Sequence, residues 1–300
     1  MAITWGQSLR PGARIHAVGG EEAARALDEC ARASSFPSCG ARAVLSGSEV
    51  VLEGGSLPGM ATLRHGLRRW LLFAPSPCEA ESRNLTWMRK RLFNVPEPMG
   101  AVTVGRFGFP TRELLVTRPV EGARPFLEAI VAASSDRRRE LFTEFGREVG
   151  RMHSLRFLHG DLVPDNVLVS PPPEESSPGH GRSLVWLSTG RGGPTAWRRG
   201  NLRRVADDLG AWFGLAADWM TPTDVEALLL AYIASRDCHG RPVAGVAQLV
   251  ASIQRSRRRE MARIEGVAHP VRERELPIAG WDPDVGRLQS LMKRRANTSS

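Results

Sequence analysis

The residues best suited to chemistry lie in one short segment, Leu158 to Val169. His159 stands two residues before Asp161, and Asn166 stands five residues after it. An aspartate in such a loop accepts the proton of an attacking hydroxyl, an asparagine at that distance binds a metal ion beside the phosphates, and the histidine holds the turn together. The spacing predicts a phosphoryl-transfer loop, with Asp161 and His159 as catalytic residues and Asn166 as a metal ligand that also helps to bind the cofactor.

A simpler interpretation of the same segment stays open. His-Gly-Asp followed by Pro-Asp-Asn also fits an ordinary turn that leads into a short apolar strand, residues 167–169. The elements on either side of the loop favour the phosphoryl-transfer interpretation.

One of these elements is a helix that carries a carboxylate on its apolar face. Ser76, Pro77 and Glu79 form a capping-box pattern, which predicts a helix from there to about Phe93. Glu81 shares a stripe with three apolar residues, Leu85, Met88 and Leu92. A buried carboxylate needs a partner. The alternative is a half-exposed glutamate at the edge of the stripe.

Strand signals dominate the first half of the chain and helix signals the second. The pattern predicts two hairpins, residues 41–52 and 101–117, and a joint at 118–122. An apolar stripe on a helix that ends beside the loop follows, and a second strand, Leu184 to Leu187, lies beyond a polar turn at 171–182. Later helical stripes begin near Leu202, Val225 and Val246. Residues 21–33 have the spacing of an N-terminal helix.

Composition narrows the class of protein without choosing a function. The 300 residues are 42% hydrophobic and 24% charged, with neither a long apolar run nor a secretory leader pattern, which predicts a cytoplasmic globular protein. The net charge is +9, and the basic residues are arginines except for Lys90 and Lys293. Guanidinium groups suit phosphate-bearing partners. Charge alone leaves nucleic acid, anionic lipid and phosphorylated sugar open.

The order of these features resembles the lipopolysaccharide kinase family of bacteria, which phosphorylates sugars of the inner core and is related to the aminoglycoside phosphotransferases. The stretches that carry the resemblance are residues 76–85, 115–124, 159–169, 185–187 and 197–202. It implies an α+β, two-lobed protein-kinase-like fold, with a small strand-rich N-lobe that holds one long helix and a mainly helical C-lobe. The corresponding division is an N-terminal extension (1–39), the N-lobe (40–118), the C-lobe (119–285) and a flexible tail (286–300).

The resemblance also implies roles for individual residues. Asp161 becomes the base, Asn166 a ligand of Mg²⁺, and Glu81 the helix carboxylate that binds the cofactor ATP by holding a phosphate-binding lysine. Two residues that the family pattern requires are different here: Glu53 stands where the strand lysine is expected, and Thr189 where a second metal-binding aspartate is expected. An arginine such as Arg64 or Arg69 is an imperfect substitute for the lysine.

Two functions follow from this mixture. One is ATP- and Mg²⁺-dependent phosphoryl transfer to a sugar hydroxyl, with catalysis weakened by the two replacements and an anionic glycolipid or sugar as acceptor, at the inner membrane surface. The other is a pseudokinase that binds a partner protein or a phosphorylated glycolipid. Nucleic acid binding rests on charge alone and is the weakest of the three interpretations.

Overall fold

The computed structural model describes residues 3–7, 13–18, 41–44, 51–56, 75–106, 109–171, 183–189, 192–194, 202–237, 246–264 and 286–290. The chain forms two compact units. The first contains residues 1–121 and 186–191, and the second contains residues 122–185 and 192–300.

An antiparallel sheet makes up most of the described part of the first unit. Its strands lie in the order β1-β2-β5-β6-β4-β3. The strand bounds are β1 Ile3–Gln7, β2 Ala13–Val18, β3 Ala41–Val44, β4 Val51–Ser56, β5 Pro98–Arg106 and β6 Phe109–Thr117. Both predicted hairpins are confirmed, because β3 pairs with β4 and β5 pairs with β6, each antiparallel.

Residues 1–39 contribute to this sheet. The sequence pattern predicts an N-terminal extension here, but β2 pairs with β5 from Ala13 opposite Val104 to Ala17 opposite Gly100. Short strands with weak alternation give little sequence signal, and the long-range partner supplies their hydrogen bonds. The helix predicted at 21–33 lies outside the described residues.

Helix α1, Pro77–Arg89, packs on β5 and β6. Its predicted capping box is confirmed: the Ser76 side chain accepts a hydrogen bond from the Glu79 N–H, and the Glu79 side chain accepts one from the Ser76 N–H. Glu113 of β6 accepts a further bond from the Cys78 N–H, at 3.1 Å. Helix N-termini leave amide groups without intrahelical partners. These bonds fix the start of α1 against the sheet.

The predicted C-terminal end of this helix was wrong by one turn. The helix ends at Arg89, and Leu92 lies beyond it with a left-handed φ of 60°. The Phe93 N–H turns back to donate to the Met88 carbonyl, which closes the helix end. Leu85 and Met88 are buried as predicted, whereas Leu92 is 75% exposed.

The second unit is mainly helical. Its helices are α2 Phe126–Ala132, α3 Ser135–Ser154, α4 Leu202–Ala216, α5 Pro222–Asp237 and α6 Val246–Ile264. Short strands lie between α3 and α4: β8 Phe157–Leu158, β9 Val167–Val169, β10 Leu184–Trp186 and β11 Gly193–Pro194. Strand β7, Arg124–Pro125, pairs with β9, and β8 pairs with β11. The described part of the chain therefore has the predicted α+β class.

Aromatic side chains form the centre of the second unit. Phe126 of α2 contacts the rings of Phe142 and Phe145 on α3 and of Trp212 on α4, with ring centroids 5.1 to 5.8 Å apart. Phe145 and Trp212 stack at 3.8 Å. All four side chains are fully buried. This core joins the helix before the loop to the helix after it.

Among the described residues, no helix is both long enough and apolar enough to cross a membrane. The C-terminal segment predicted as a flexible tail begins with a helical stretch, residues 286–290, in which Leu288 is buried.

Glycines on α3 allow it to pack closely against α5. A Cβ at Gly146 would lie 2.1 Å from the Leu228 carbonyl oxygen, and one at Gly150 would lie 2.5 Å from that of Tyr232. Gly214 on α4 has no such restriction, because its Cβ would be 3.5 Å from the nearest atom, in the Glu260 side chain.

This difference predicts that replacing glycine by alanine lowers stability at residue 146 and raises it at residue 214. Gly146→Ala forces the α5 backbone away, and we expect it to lower the free energy of unfolding by about 1–3 kcal/mol. Gly214→Ala reduces the entropy of the unfolded chain and should raise stability by about 0.5–1 kcal/mol. Urea unfolding of both variants checks this. Equal effects of the two alanines would contradict the packing described here.

Candidate active site

The loop between β8 and β9 is built from tight turns. Gly160 has a left-handed φ of 79°, the Val163 N–H donates to the Asp161 carbonyl at 3.0 Å, and residues 164–166 form one turn of 3₁₀ helix. Glycine adopts a positive φ without steric cost, so Gly160 suits this position between His159 and Asp161. The turns place Asp161 and Asn166 side by side.

Asn166 and Asp161 are in direct contact. The Asn166 Nδ2 donates to the Asp161 carbonyl at 2.9 Å and to the Asp161 Oδ2 at 3.2 Å. Asn166 is buried, while Asp161 is half-buried, so the carboxylate keeps access to solvent. Because only Nδ2 is used in these bonds, the Asn166 Oδ1, the atom of this amide that binds metal ions, is not consumed by Asp161.

The loop backbone is held by a carboxylate on α4. Asp208 accepts a hydrogen bond from the His159 N–H at 2.8 Å and another from the Gly160 N–H at 2.9 Å. Its Oδ2 lies 3.2 Å from the Nε2 of His153, near the end of α3. Asp208 is only 6% exposed. A buried carboxylate is stable only with several donors, and these three donors fix the loop directly before Asp161.

The surroundings of His153 and Asp208 determine the protonation state of each side chain. Burial lowers the pKa of His153 below its usual range, and Asp208 opposes that shift only in part. Burial alone would raise the pKa of Asp208, but the hydrogen bond from His153, the nearby positive charge and the hydrogen bond from the Gly160 N–H together outweigh it and lower the pKa. A neutral histidine therefore contacts an ionised carboxylate.

Asp208 is not among the residues predicted from the sequence, although the sequence contains a signal for it. Asp208 lies within the stripe of buried residues on α4, between Val205 and Trp212, where the same argument that singled out Glu81 applies. His153 likewise continues the apolar stripe of α3. Polar residues on buried helix faces mark both contacts.

His159 lies where the loop backbone passes close to Gly192. Its side chain is fully buried. A Cβ at Gly192 would lie 2.0 Å from the His159 carbonyl oxygen, so only glycine fits beside the loop there. The main chain of His159, bound to Asp208, provides the observed anchoring of the turn. Its assignment as a catalytic residue stays a prediction.

Glu81 belongs to a separate polar cluster in the first unit. Its Oε1 accepts a hydrogen bond from the Thr189 N–H at 3.0 Å, and the Asn84 Nδ2 donates to the Thr189 carbonyl at 2.8 Å. Glu81 is buried, 7% exposed, so the alternative of a half-exposed edge position is wrong. Two side chains of α1 thus bind both main-chain polar groups of one residue.

This contact bears on whether the Thr189 hydroxyl can bind a metal ion. The residue is fully buried, so its hydroxyl is shielded from solvent rather than offered to a dissolved metal ion. The neighbouring Ser188 is half-buried and has a left-handed φ of 43°. The strand before them ends at Trp186, one residue earlier than predicted. Ser188 is therefore the more accessible of the two hydroxyl residues.

The donor set suits a hard cation only in part. Asp161 and Asn166 offer oxygen ligands of the kind that Mg²⁺ prefers, but residues 187–189 contain no carboxylate. Among the described residues, no group of three or more histidine, cysteine or acidic side chains is placed to hold a metal ion. Arg64, Arg69 and the side chain of Glu53 lie outside the described part of the chain.

Comparison with known proteins identifies the family. The model of the lipopolysaccharide kinase (Kdo/WaaP) family matches residues 60–232, more than half of the chain. The chain belongs to the lipopolysaccharide kinase family. The resemblance inferred from the sequence is thereby confirmed, and with it the kinase-like fold.

Solved structures similar to this lipopolysaccharide kinase family member are distant in sequence. One is described as WaaP in complex with acyl carrier protein, with 15% identity, a TM-score of 0.49, and coverage of 86% of this chain and 89% of that chain. Another is a glucosamine kinase, with 12% identity, a TM-score of 0.45, and coverage of 98% and 95%. A search of curated proteins gives no match.

The buried His153 predicts a pH dependence of stability. Its pKa is about 6.5 when unfolded and lower when folded, so the unfolded chain binds more protons between the two values. The contribution of neutral His153 to the free energy of unfolding is complete above about pH 6.5. It is lost as the pH falls from there toward the pKa of the folded state, by up to about 1.4 kcal/mol per pH unit. Urea unfolding at about pH 7.5 and about pH 5.5 should show a larger loss for the native chain than for His153→Gln. Equal losses would contradict this assignment.

The contact of Glu81 with Thr189 predicts different effects of two substitutions. Glu81→Ala leaves the buried Thr189 N–H without its acceptor and should cost about 1.5–3 kcal/mol, whereas Glu81→Gln keeps a carbonyl acceptor and should cost less than half of that. Arg83→Ala, at an exposed position of α1, is the matched control, within about 0.5 kcal/mol of the native chain. If the glutamine variant is as unstable as the alanine variant, the charge of Glu81 is what stabilises the unit.

Proposed function

We propose that this protein catalyses ATP-dependent phosphoryl transfer to a sugar hydroxyl, at a reduced rate. Asp161 is the base: it accepts the hydroxyl proton as the sugar oxygen bonds to the γ-phosphorus and the bond to the leaving ADP oxygen breaks. Asn166 serves as the metal ligand. The family supplies the reaction class, and the observation that carries the proposal is the Asp161–Asn166 pair on a loop anchored by Asp208.

The geometry supports positioning, which is the main contribution of a protein to this reaction. Two main-chain N–H groups immediately before Asp161 bind one buried carboxylate, and the Asn166 side chain binds the Asp161 residue itself. Asp161 keeps a partly exposed carboxylate. A base held this way has little freedom to leave the orientation in which it meets the hydroxyl.

Magnesium, when bound, neutralises charge on the phosphates. Asn166 would hold it, and Thr189 stands where the family pattern has a second metal-binding aspartate. Since electrostatic stabilisation supplies much of the acceleration in phosphoryl transfer, the expected rate is lower than for an enzyme that has this aspartate.

A second candidate function is supported by the Glu81–Thr189 contact. If Glu81 acts by fixing the backbone of Thr189, it has a structural role that does not require a phosphate-binding lysine. The chain would then be a pseudokinase that binds a partner protein or a phosphorylated glycolipid. The absence of an acid at 187–189 favours this function as much as a slow enzyme.

The acceptor that best fits the family and the charge is an anionic glycolipid or its sugar head group. The net charge of +9 and the near-exclusive use of arginine suit phosphate groups. Such an acceptor places the protein in the cytoplasm, at the inner surface of the membrane. Nucleic acid is not part of this proposal.

Nucleotide binding and turnover test the proposal. With millimolar ATP and Mg²⁺ the melting temperature should rise, and omission of Mg²⁺ should reduce the rise. Asp161→Asn should lower kcat about 10²- to 10⁴-fold without reducing the thermal shift, because it removes the base and not the nucleotide contacts. Asp165→Asn, on an exposed residue of the same loop, is the matched control and should retain activity.

Two results would overturn the enzyme proposal. One is the absence of any ATP-dependent shift together with no ADP release, which would leave the binding function. The other is equal activity of Asp161→Asn and the native chain, which would remove Asp161 from the reaction.

A further inference from the structure

A buried chain of hydrogen bonds runs from α5 to the loop anchor. The Arg236 Nη1 donates to the Tyr232 hydroxyl at 2.8 Å, and that hydroxyl lies 3.0 Å from the Nδ1 of His153. The His153 Nε2 lies 3.2 Å from the Asp208 Oδ2. His153 and Tyr232 are fully buried, and Arg236 and Asp208 are nearly so. Nothing in the phosphoryl-transfer proposal uses Tyr232 or Arg236.

The chemistry of the groups sets the donor and the acceptor of every hydrogen bond in this series. Arginine only donates and an ionised carboxylate only accepts, so the two ends are fixed. Because Arg236 donates to the Tyr232 oxygen, the tyrosine proton is available for the Nδ1 of His153. A lone pair on Nδ1 then requires the imidazole proton to be on Nε2, where it points to Asp208.

We propose that Tyr232 and Arg236 are positioning residues for the loop that carries Asp161. They hold His153 as the neutral tautomer with the proton on Nε2, and this tautomer keeps Asp208 oriented toward the main-chain N–H groups of His159 and Gly160. The orientation of His153 and Asp208 is inferred from the geometry alone. Only its consequence for catalysis rests on the proposed function.

The opposite tautomer shows why the direction matters. With the proton on Nδ1, the lone pair of Nε2 would face the Asp208 Oδ2 at 3.2 Å with no hydrogen between them. Two acceptors at that distance in a buried site repel each other, and the carboxylate would turn away. Its bonds to the His159 and Gly160 N–H groups would weaken together, because one carboxylate makes all three contacts.

Charge supports the same state. Burial lowers the pKa of His153, and the positive charge of Arg236 lowers it further. Asp208 raises it in part, and His159 is a further titratable group near this carboxylate. The packing of α3 against α5 brings Tyr232 within reach, since Gly150 allows the Tyr232 backbone to approach α3.

Nitrogen NMR of the full chain tests the tautomer without any substitution. Long-range proton–nitrogen correlations of ¹⁵N-labelled protein, with His153 assigned through His153→Gln, should show a protonated Nε2 and an unprotonated, hydrogen-bonded Nδ1. A proton on Nδ1, or on both nitrogens at neutral pH, would overturn the proposal. Because Tyr232 is the only tyrosine of the chain, a ring-carbon label gives one signal that follows the hydroxyl directly.

Tyr232→Phe tests the effect on the loop. Hydrogen exchange of the His159 and Gly160 amides should accelerate about fivefold or more beyond the change in global stability, the size of one net hydrogen bond. Ile233→Val, a buried apolar truncation at the next position of α5, is the control and should change protected amides uniformly. Equal loop exchange in the two variants would overturn the proposal.

In a phosphotransferase assay, Tyr232→Phe should lower kcat and leave the KM for nucleotide nearly unchanged. If no turnover is found in the native chain, the proposed function fails, while the NMR and exchange measurements still decide the role of Tyr232.

Discussion

The buried carboxylate of Asp208 is the interaction on which the second unit depends. It is removed from water, so its charge is tolerable only because three N–H groups converge on it, two from the loop and one from His153. Each donor comes from an element whose position is set elsewhere: α3 by the aromatic core, and the loop by β8 and β9. Packing thus brings the donors together, and the charge makes the arrangement specific.

The first unit shows a smaller version of the same principle. The N-terminus of α1 is held to the sheet by Glu113, and its first turns direct Glu81 and Asn84 to the main chain of Thr189. Both contacts use side chains to satisfy buried backbone groups that no strand or helix bond reaches. A residue that looks like part of a catalytic pattern, Glu81, therefore also has a stabilising role.

The fold of this protein follows from its family, whereas its reaction is the part that is proposed. The loop, its Asp208 anchor and the helix residue Glu81 all lie within residues 60–232, which match the family model. In the proposed reaction Asn166 would hold the metal ion beside the phosphates, and Asp161, which Asn166 contacts, would be the base. The geometry of the loop does not depend on a bound nucleotide, because Asp208 holds the loop backbone at His159 and Gly160.

The sequence determined the local features. The capping box at Ser76, both hairpins of the sheet and the spacing of His159, Asp161 and Asn166 are short-range patterns, and residue type and distance along the chain are sufficient to predict them. The family resemblance was also accessible, since the loop motif and the order of strands and helices carry it. The end of α1 was predicted one turn too late, because apolar spacing continued past the residue where the backbone turns.

Only the tertiary structure decided which polar groups meet. Asp208 lies 47 residues from Asp161 in the chain, and no local pattern joins it to the backbone of His159 at 2.8 Å. The same holds for Glu81 and Thr189, which are 108 residues apart, and for the pairing of β2 with β5. The physical reason is that burial creates the demand for partners, and burial is a property of the packed chain. The sequence by itself therefore predicts the candidate residues, while packing decides which groups hold them in place.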